Sequence, residues 1–204
     1  MIVQKKILIA DDHFVIRKAL KALLEYNFRD IKIAEACSCN EIMRKLMQED
    51  YAYIILDMVL TDGTVLEILP NIVRLYPRSS ILIFSMQPAT VYRRALNQYD
   101  IHYYMSKVLP EGEMVCLLGK FLNNECPARE EADAQVSDNP FSLLTARELE
   151  ILHYILKGLK STEIGNILNI KYNTVSTTRS RIFEKSQTSN ITELFKLAIR
   201  YNVS

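Results

Sequence analysis

The sequence has little of what marks a secreted, zinc-stabilised or membrane-spanning protein. Only four of its 204 residues are cysteine, and Cys37 and Cys39 are separated by a single residue. This spacing is too tight for the common zinc knuckles, and no histidine lies near it, so we expect reduced thiols. No apolar run approaches the roughly 18 residues of a membrane helix, and no signal peptide precedes the first apolar segment. We therefore expect a soluble, cytoplasmic protein without membrane contact.

A strong net charge is also absent, and the formal charge of +1 by itself indicates no class of partner. The charge is, however, unevenly distributed. Residues 1–123 hold 15 basic and 14 acidic side chains, residues 124–141 hold 1 and 5, and residues 142–204 hold 9 and 5. A basic C-terminal third without a single aspartate is what phosphate contacts with nucleic acid require.

The length suits two small domains, and the first 120 residues alternate short apolar runs with amphipathic segments. The runs are apolar on both faces and rich in isoleucine, which is typical of buried parallel strands. Five strand–helix alternations predict an α/β doubly wound domain with a five-stranded parallel sheet of order 2-1-3-4-5. Pro70 is expected to kink or restart the third helix. The predicted strands are 6–10, 31–36, 53–56, 80–85 and 102–105, and helical patterns cover 13–26, 39–49, 64–76, 89–99 and 110–122.

Residues 124–141 are polar, acidic and non-periodic, and they are interpreted as a linker. The domains are therefore predicted as 1–123 and 142–204, the second being a small all-α domain. Its first helix opens on the capping box Thr145-x-x-Glu148. Three further helices are predicted at 162–168 with Ser161 as its cap, at about 172–185, and at 191–201 after Asn190-x-x-Glu193.

Polar side chains follow four of the five strands at the sheet edge where ligands bind in such folds. Asp11 and Asp12 follow the first strand, Asp57 the third, Ser85 ends the fourth, and Lys107 follows the fifth. Clustered carboxylates do not all stay ionised without a cation, and their hard oxygens suit Mg²⁺. Each residue alone has an ordinary explanation, such as Asp12 capping a helix, but their convergence predicts a site.

The chemistry that suits this set is phosphoryl transfer. The central carboxylate, Asp57, is the candidate nucleophile. Asp11 and Asp12 would hold the metal with Asp57 and the backbone carbonyl of Val59, while Lys107 and Ser85 would contact the phosphoryl oxygens.

Through these residues, 1–123 resembles the receiver domain of two-component response regulators. The resemblance implies a histidine kinase as the phosphoryl donor, Asp57 as the acceptor, and Tyr104 as an aromatic switch coupled to Ser85. It also implies that phosphorylation repacks the face made by the fourth helix, the fifth strand and the fifth helix. Three departures from the family stand out: the bulky Met86 after Ser85, expected to narrow access to Asp57; Thr61 in place of a common proline; and Val108 after Lys107, which excludes a cis-proline bond there.

Residues 142–203 resemble the LuxR-type helix-turn-helix of the NarL/FixJ family, through LTARELEIL, GLKSTEIGNILNI and NTVSTTRSRIFEKS. Ile164, Ile167 and Leu168 are predicted to bury the scaffold helix, and Val175 and Ile182 to anchor the recognition helix in the major groove. The predicted base-facing residues are Ser176, Thr177 and Ser180. The predicted phosphate contacts are Lys171, Asn173, Thr174, Arg179, Arg181 and Lys185.

The sequence therefore predicts a phosphorylation-controlled transcription regulator, not an enzyme, that binds double-stranded DNA. The family implies a homodimer in the active state, with the last helix as dimer contact. Two alternatives stay open. One is a phosphorylation-dependent switch whose helical module binds protein rather than DNA. The other is a constitutive DNA binder whose receiver is no longer phosphorylated.

Overall fold

The computed structural model describes residues 4–125 and 139–203. Residues 126–138, which make up most of the predicted linker and include Cys126, lie outside this range. The described residues fall into two compact units. The first contains 4–86 and 99–125, and the second contains 87–98 and 139–203.

The first unit is built on a parallel sheet, as predicted. Its five strands lie in the order β2-β1-β3-β6-β7, and every neighbouring pair runs parallel. This confirms the doubly wound α/β fold, with the fifth strand one residue later than predicted. The strands are β1 Lys5–Ala10, β2 Ile31–Ala36, β3 Tyr53–Leu56, β6 Ser80–Ser85 and β7 Tyr103–Ser106.

Helices connect these strands, and one short hairpin was not predicted. In that hairpin, β4 Val59–Leu60 pairs antiparallel with β5 Gly63–Thr64, directly after β3. Two-residue strands are too short to give an apolar periodicity, which explains the omission. The helices are α1 Phe14–Asn27, α2 Cys39–Gln48, α3 Val65–Leu75, α4 Ala89–Asn97 and α5 Glu111–Leu122.

Helix α3 continues through Pro70, so the predicted restart of the helix is wrong. Pro70 lies on the exposed side, where its ring displaces no core residue. The helix is secured at its start by Glu67, whose Oε1 accepts a hydrogen bond from the backbone N–H of Thr64 at 2.9 Å. Leu69 and Ile72, both fully buried, anchor the turns on either side of the proline. Burial and capping outweigh the one lost helix hydrogen bond.

One core layer of the first unit lies between the sheet and helices α1 and α5. Leu24 and Phe121 are fully buried on these helices. The Phe121 ring meets Tyr53 and Tyr103 edge-on, with centroids 5.3 and 5.0 Å apart. This packing holds the strands in the register on which the site depends.

Residues 139–203 of the second unit form the predicted four helices after one 3-10 helix. The capping box of the first is present: Thr145 Oγ1 accepts from Glu148 N at 3.3 Å, and Thr145 N donates to Glu148 Oε2 at 2.7 Å. The predicted cap at Ser161 is wrong, because Ser161 is the first helical residue and Lys160 is the cap. The elements are the 3-10 helix Pro140–Leu143 and helices α6 Ala146–Leu156, α7 Ser161–Ile167, α8 Tyr172–Lys185 and α9 Ile191–Arg200.

Helix α8 packs on its neighbours through the predicted anchors. Val175 and Ile182 are both fully buried, and Ile164 of α7 is 1% exposed. Ile167 instead is 49% exposed, because α7 ends there and its last side chain turns to solvent. Gly165 permits the tight turn that follows, since a Cβ on it would lie 2.9 Å from the carbonyl oxygen of Ile170.

Candidate functional site

The sheet register brings two carboxylates together at its carboxyl edge. Ala10 of β1 pairs with Leu56 of β3, so the next residues, Asp11 and Asp57, lie side by side. Both are buried, with 1% and 6% of their surface exposed, and Asp12 is half-buried beside them. One ligand atom from each of the three lies within 4.8 Å of the others. The predicted acidic cluster is therefore assembled by the fold.

Lys107, directly after β7, extends its side chain into this cluster. Its Nζ lies 2.6 Å from Asp11 Oδ2 and 2.5 Å from Asp57 Oδ2, and its side chain is 4% exposed. Its backbone N–H donates to the carbonyl of Ser85 at 3.0 Å, which ties the loop after β7 to β6. One ammonium thus bridges the two buried carboxylates.

The charges of the cluster do not balance. Three carboxylates face one ammonium, and burial raises the pKa of Asp57 although Lys107 opposes the effect. A divalent cation would remove this imbalance, and carboxylate oxygens are the ligands that hard cations prefer. The residues present therefore fit a metal site.

Ser85, which is buried, and Tyr104, which is half-buried, form a hydrogen-bonded pair next to the cluster. Ser85 ends β6 with 2% exposure, and Tyr104 of β7 is hydrogen-bonded to its side chain. Burial raises the pKa of Tyr104, so its hydroxyl stays protonated and available as a donor. The two residues that the sequence pairs as a switch are in contact.

His13 is a residue of this site that the sequence reasoning missed. Its Nδ1 lies 2.7 Å from Asp12 Oδ1 and 3.3 Å from Asp11 Oδ1. His13 is also the N-cap residue of α1, without a side-chain capping bond, and Asp12 does not have that role. The signal for it in the sequence is its place directly after the acidic pair Asp11 and Asp12. Glu35, at the tip of β2, stays outside the cluster.

The three departures from the family lie around the site. Met86 is 60% exposed and lines the same cleft as Lys107. Val108 is 70% exposed, and the described residues contain no cis peptide bond. Thr61 is exposed in the turn between β4 and β5, where its hydroxyl donates to the carbonyl of Cys37 at 3.5 Å.

The exposed face of α8 presents hydroxyl groups that already donate to the helix backbone. Thr177 Oγ1 donates to the carbonyl of Asn173 at 2.8 Å, and Ser180 Oγ donates to that of Ser176 at 3.2 Å. Thr177 and Ser180 are exposed, while Ser176 is half-buried. Because the hydroxyl protons point into the helix, the outer lone pairs act as acceptors.

The basic residues of this helix fall into two groups. Lys171 and Arg181 are exposed. Arg179 lies over the ring of Phe183, with 5.4 Å between its guanidinium carbon and the ring centroid. Lys185 Nζ lies 2.7 Å from the carboxylate of Glu148. The side chains of Arg179 and Lys185 therefore already make contacts within the domain.

Burial by itself would raise the pKa of Glu148, and it is the largest single effect on this carboxyl group. Hydrogen bonds from Lys185 and Thr145 together outweigh it, so the pKa of Glu148 is lowered. Lys185 therefore has a structural partner in addition to any role on the surface.

Two family comparisons bear on this geometry. Residues 7–118 match the response regulator receiver domain, and residues 142–198 match the bacterial regulatory proteins of the luxR family. The first match alone spans more than half of the chain. The chain is a response regulator. It belongs to the two-component NarL/FixJ type, in which a receiver is joined to a LuxR-type DNA-binding helix-turn-helix, and it is a transcription regulator rather than an enzyme.

Curated relatives of the response regulator align over nearly its whole length. The oxygen regulatory protein NreC of Staphylococcus carnosus is 27% identical and covers 96% of this chain and 97% of its own. The response regulator UvrY of Escherichia coli K12 is also 27% identical, over 97% of this chain and 94% of its own. Both domains and their order are therefore shared.

Solved structures show the same fold. RcsB from Salmonella enterica serovar Typhimurium, bound to the promoter P1flhDC with phosphomimetic BeF3-, has a TM-score of 0.81 at 22% identity. The alignment covers 95% of this chain and 98% of that one. Full-length FixJ from B. japonicum has a TM-score of 0.52 at 18% identity, and the alignment covers 98% of each chain. Among the residues that the structure describes, no helix is long and apolar enough to span a membrane.

Proposed function

We propose that Asp57 accepts a phosphoryl group from a sensor histidine kinase. A carboxylate oxygen attacks phosphorus, and the phosphorus–nitrogen bond to the donor histidine breaks as the acyl phosphate forms. The observation that supports this most is the position of Lys107 Nζ, 2.5 Å from Asp57 Oδ2 and 2.6 Å from Asp11 Oδ2. An ammonium held there pairs with the phosphoryl oxygen on which charge develops.

We assign the cation of this site to Mg²⁺, held by Asp11, Asp12, Asp57 and the backbone carbonyl of Val59. When bound, Mg²⁺ supplies positive charge to the phosphoryl oxygens and brings donor and acceptor together. The carboxylates orient the acceptor oxygen, and their burial excludes water from it. The net charge of the cluster, three carboxylates against one ammonium, supports this assignment.

The proposed conformational switch uses the hydrogen bond between Ser85 and Tyr104. In the proposed mechanism the Ser85 hydroxyl turns toward a phosphoryl oxygen on Asp57 and donates a hydrogen bond to it. Its hydrogen bond with Tyr104 is then exchanged for a new one, and the half-buried tyrosine side chain must adjust. A local change of charge thereby acts on an element that has two arrangements.

We propose that α8 is the recognition helix and that its N-terminal half enters the major groove of double-stranded DNA. The hydroxyls of Ser176, Thr177 and Ser180 face the base edges. Because small hydroxyls discriminate bases weakly, part of the specificity comes from DNA shape. The phosphate contacts are assigned to Lys171, Asn173, Thr174, Arg179, Arg181 and Lys185.

The active form is proposed to be a homodimer, as two RcsB dimers are seen on two DNAs in a related structure. Helix α9 offers a surface for it, since Leu194 and Ala198 are buried but Ile199 on the same helix is 75% exposed. We keep the domain limits 1–123 and 142–204 with a linker at 124–141, and a cytoplasmic location, as parts of this proposal.

The phosphorylation step is tested by incubating the full chain with acetyl phosphate and Mg²⁺ and measuring its intact mass. Wild type is expected to gain the mass of one phosphoryl group, and the Asp57→Ala variant is expected to gain nothing. Asp62→Ala, which removes an acidic residue outside the cluster, serves as the matched control and should still gain the phosphoryl group. An equal gain in Asp57→Ala would remove Asp57 from the mechanism.

DNA binding is tested with fluorescently labelled random duplex DNA at a series of salt concentrations. Binding should weaken steeply as salt rises, because the basic face releases counterions from the phosphates. Lys171→Ala should reduce the salt slope by about one. Absence of binding at low salt would favour a helical module that binds protein instead.

A further inference from the structure

The last turn of α5 and the residues after it, 122–125, are tied to the sheet at the edge opposite to Asp57. We propose that one of these ties, the hydrogen bond from Tyr103 of β7 to Glu125, opens when Asp57 is phosphorylated. Strand β7 thereby couples the Ser85–Tyr104 pair to the start of the linker. This coupling rests on the proposed function, because the phosphoryl group on Asp57 sets it in motion.

Residues 122–125, the exit segment, are held by side chains from the amino-terminal edge of the sheet. Two of these side chains donate to the carbonyl oxygen of Leu122, at 2.6 and 2.7 Å, and a third donates to Asn124 Oδ1 at 2.7 Å. The hydroxyl of Tyr103 donates to the carbonyl oxygen of Glu125 at 2.7 Å. The four donors are the first residues of β1, β3, β6 and β7: Lys5, Tyr53, Ser80 and Tyr103.

The backbone of the exit segment adds to this anchorage. Asn124 has a φ of 53°, the left-handed conformation in which many helices end. Its N–H donates to the carbonyl of Phe121 at 3.0 Å, and the N–H of Glu125 donates to that of Lys120 at 2.9 Å. Glu125 therefore has a defined position, and Tyr103 ties its carbonyl to β7.

Strand β7 carries the switch residue and the tie on opposite faces, because successive side chains of a strand alternate. Tyr104 is hydrogen-bonded to Ser85, and the Tyr103 ring meets Phe121 of α5 edge-on, with centroids 5.0 Å apart. Among the described strands β7 pairs with β6 alone, whereas β3 pairs with both β1 and β6. Fewer ladder hydrogen bonds therefore hold β7 against a shift, and a shift that starts at Tyr104 also moves Tyr103.

The tie from Tyr103 is also the one that solvent can replace. The hydrogen bond between Tyr103 and Glu125 is exposed, whereas the bond from Tyr53 to Leu122 is buried. When an exposed bond opens, water satisfies both partners, so the cost is small. The carbonyl of Leu122 meanwhile keeps its bonds to Tyr53 and Lys5. Opening therefore frees Glu125, where the linker starts, without detaching α5 from the sheet.

The test is hydrogen–deuterium exchange of the full-length protein with and without acetyl phosphate and Mg²⁺. The intact mass of each sample reports its phosphorylation. In wild type, phosphorylation should raise the exchange rate of the peptide that contains Asn124 and Glu125 by about fivefold, the effect of one neutral hydrogen bond. Tyr103→Phe, which keeps the ring and loses the hydroxyl, should exchange at the raised rate before phosphorylation and respond no further.

Tyr53→Phe is the matched control, because it also removes a hydroxyl that donates to a carbonyl of the exit segment. This variant should keep the response of the Asn124–Glu125 peptide to phosphorylation. The factor by which phosphorylation changes DNA affinity is measured on the same three proteins. It should fall about fivefold in Tyr103→Phe and stay at the wild-type value in Tyr53→Phe.

The outcomes separate this coupling from the function on which it rests. A phosphorylated wild type with unchanged exchange at the exit segment would overturn the coupling, as would a Tyr103→Phe variant that responds like wild type. Equal losses of response in Tyr103→Phe and Tyr53→Phe would reduce both hydroxyls to structural anchors of α5. A wild type that gains no phosphoryl mass would refute the proposed function itself, and the coupling with it.

Discussion

Divalent cation should stabilise the receiver against unfolding. The cluster of Asp11, Asp12 and Asp57 holds three carboxylates against the one ammonium of Lys107, which leaves two negative charges for a cation to neutralise. A ligand that binds only the folded state at 100 times its dissociation constant adds about 2.7 kcal/mol. At roughly 4 °C per kcal/mol for a domain of about 120 residues, the receiver transition should rise by about 11 °C.

The assay is differential scanning calorimetry in EDTA and in saturating Mg²⁺. Asp12→Asn should unfold at the same temperature in both, because the site has lost a ligand. Asp57→Asn should also lose the response, and without metal it should be more stable than wild type, since burial raises the pKa of Asp57 and disfavours its charged form. Asp100→Asn, at a carboxylate that is 95% exposed, should respond like wild type. A wild type without response, or an Asp12→Asn variant with the full response, would refute the reasoning.

Three further outcomes are expected. Met86→Ala should change the lifetime of the phosphoryl group on Asp57, because Met86 directly follows Ser85 and lines a cleft together with Lys107; equal lifetimes by intact mass would contradict this. Thr177→Val should weaken binding to selected DNA sites about fivefold but leave random DNA binding unchanged, because the lost lone pairs accept from adenine N6 or cytosine N4; equal loss on both DNAs would count against base contact. Glu148→Gln should cost about 1.5 kcal/mol at pH 7, measured by urea unfolding. The pKa of Glu148 is lowered in the folded state, so its contribution is present above its ordinary value of 4.5 and lost as pH falls further; a cost independent of pH would exclude the ion pair with Lys185.

Much of the fold could be predicted from pattern alone. Strand β3, with four consecutive buried residues, reads as a central parallel strand because both of its faces are covered. The prediction failed where packing outweighs local preference. Pro70 stays inside α3 because buried leucine and isoleucine hold both turns, and Ile167 is exposed because α7 ends at that residue.

The acidic site was predictable for a topological reason. Carboxyl ends of adjacent parallel strands meet at one edge, so Asp11 and Asp57 had to be neighbours once the strand order was known. The contact of His13 with Asp11 and Asp12 was not predictable. Whether a side chain one residue beyond the acidic pair turns toward it depends on how α1 begins, and a helix start is poorly determined by sequence.

The sequence by itself determined the strand–helix alternation, the two-domain plan and the set of chemically active side chains, because periodicity and strand-end position are local properties. Only the tertiary structure decided how these side chains are used. It placed Lys107 between two carboxylates and paired Lys185 with Glu148. Such choices depend on distances of a few ångströms between residues far apart in the chain, and no local pattern contains them.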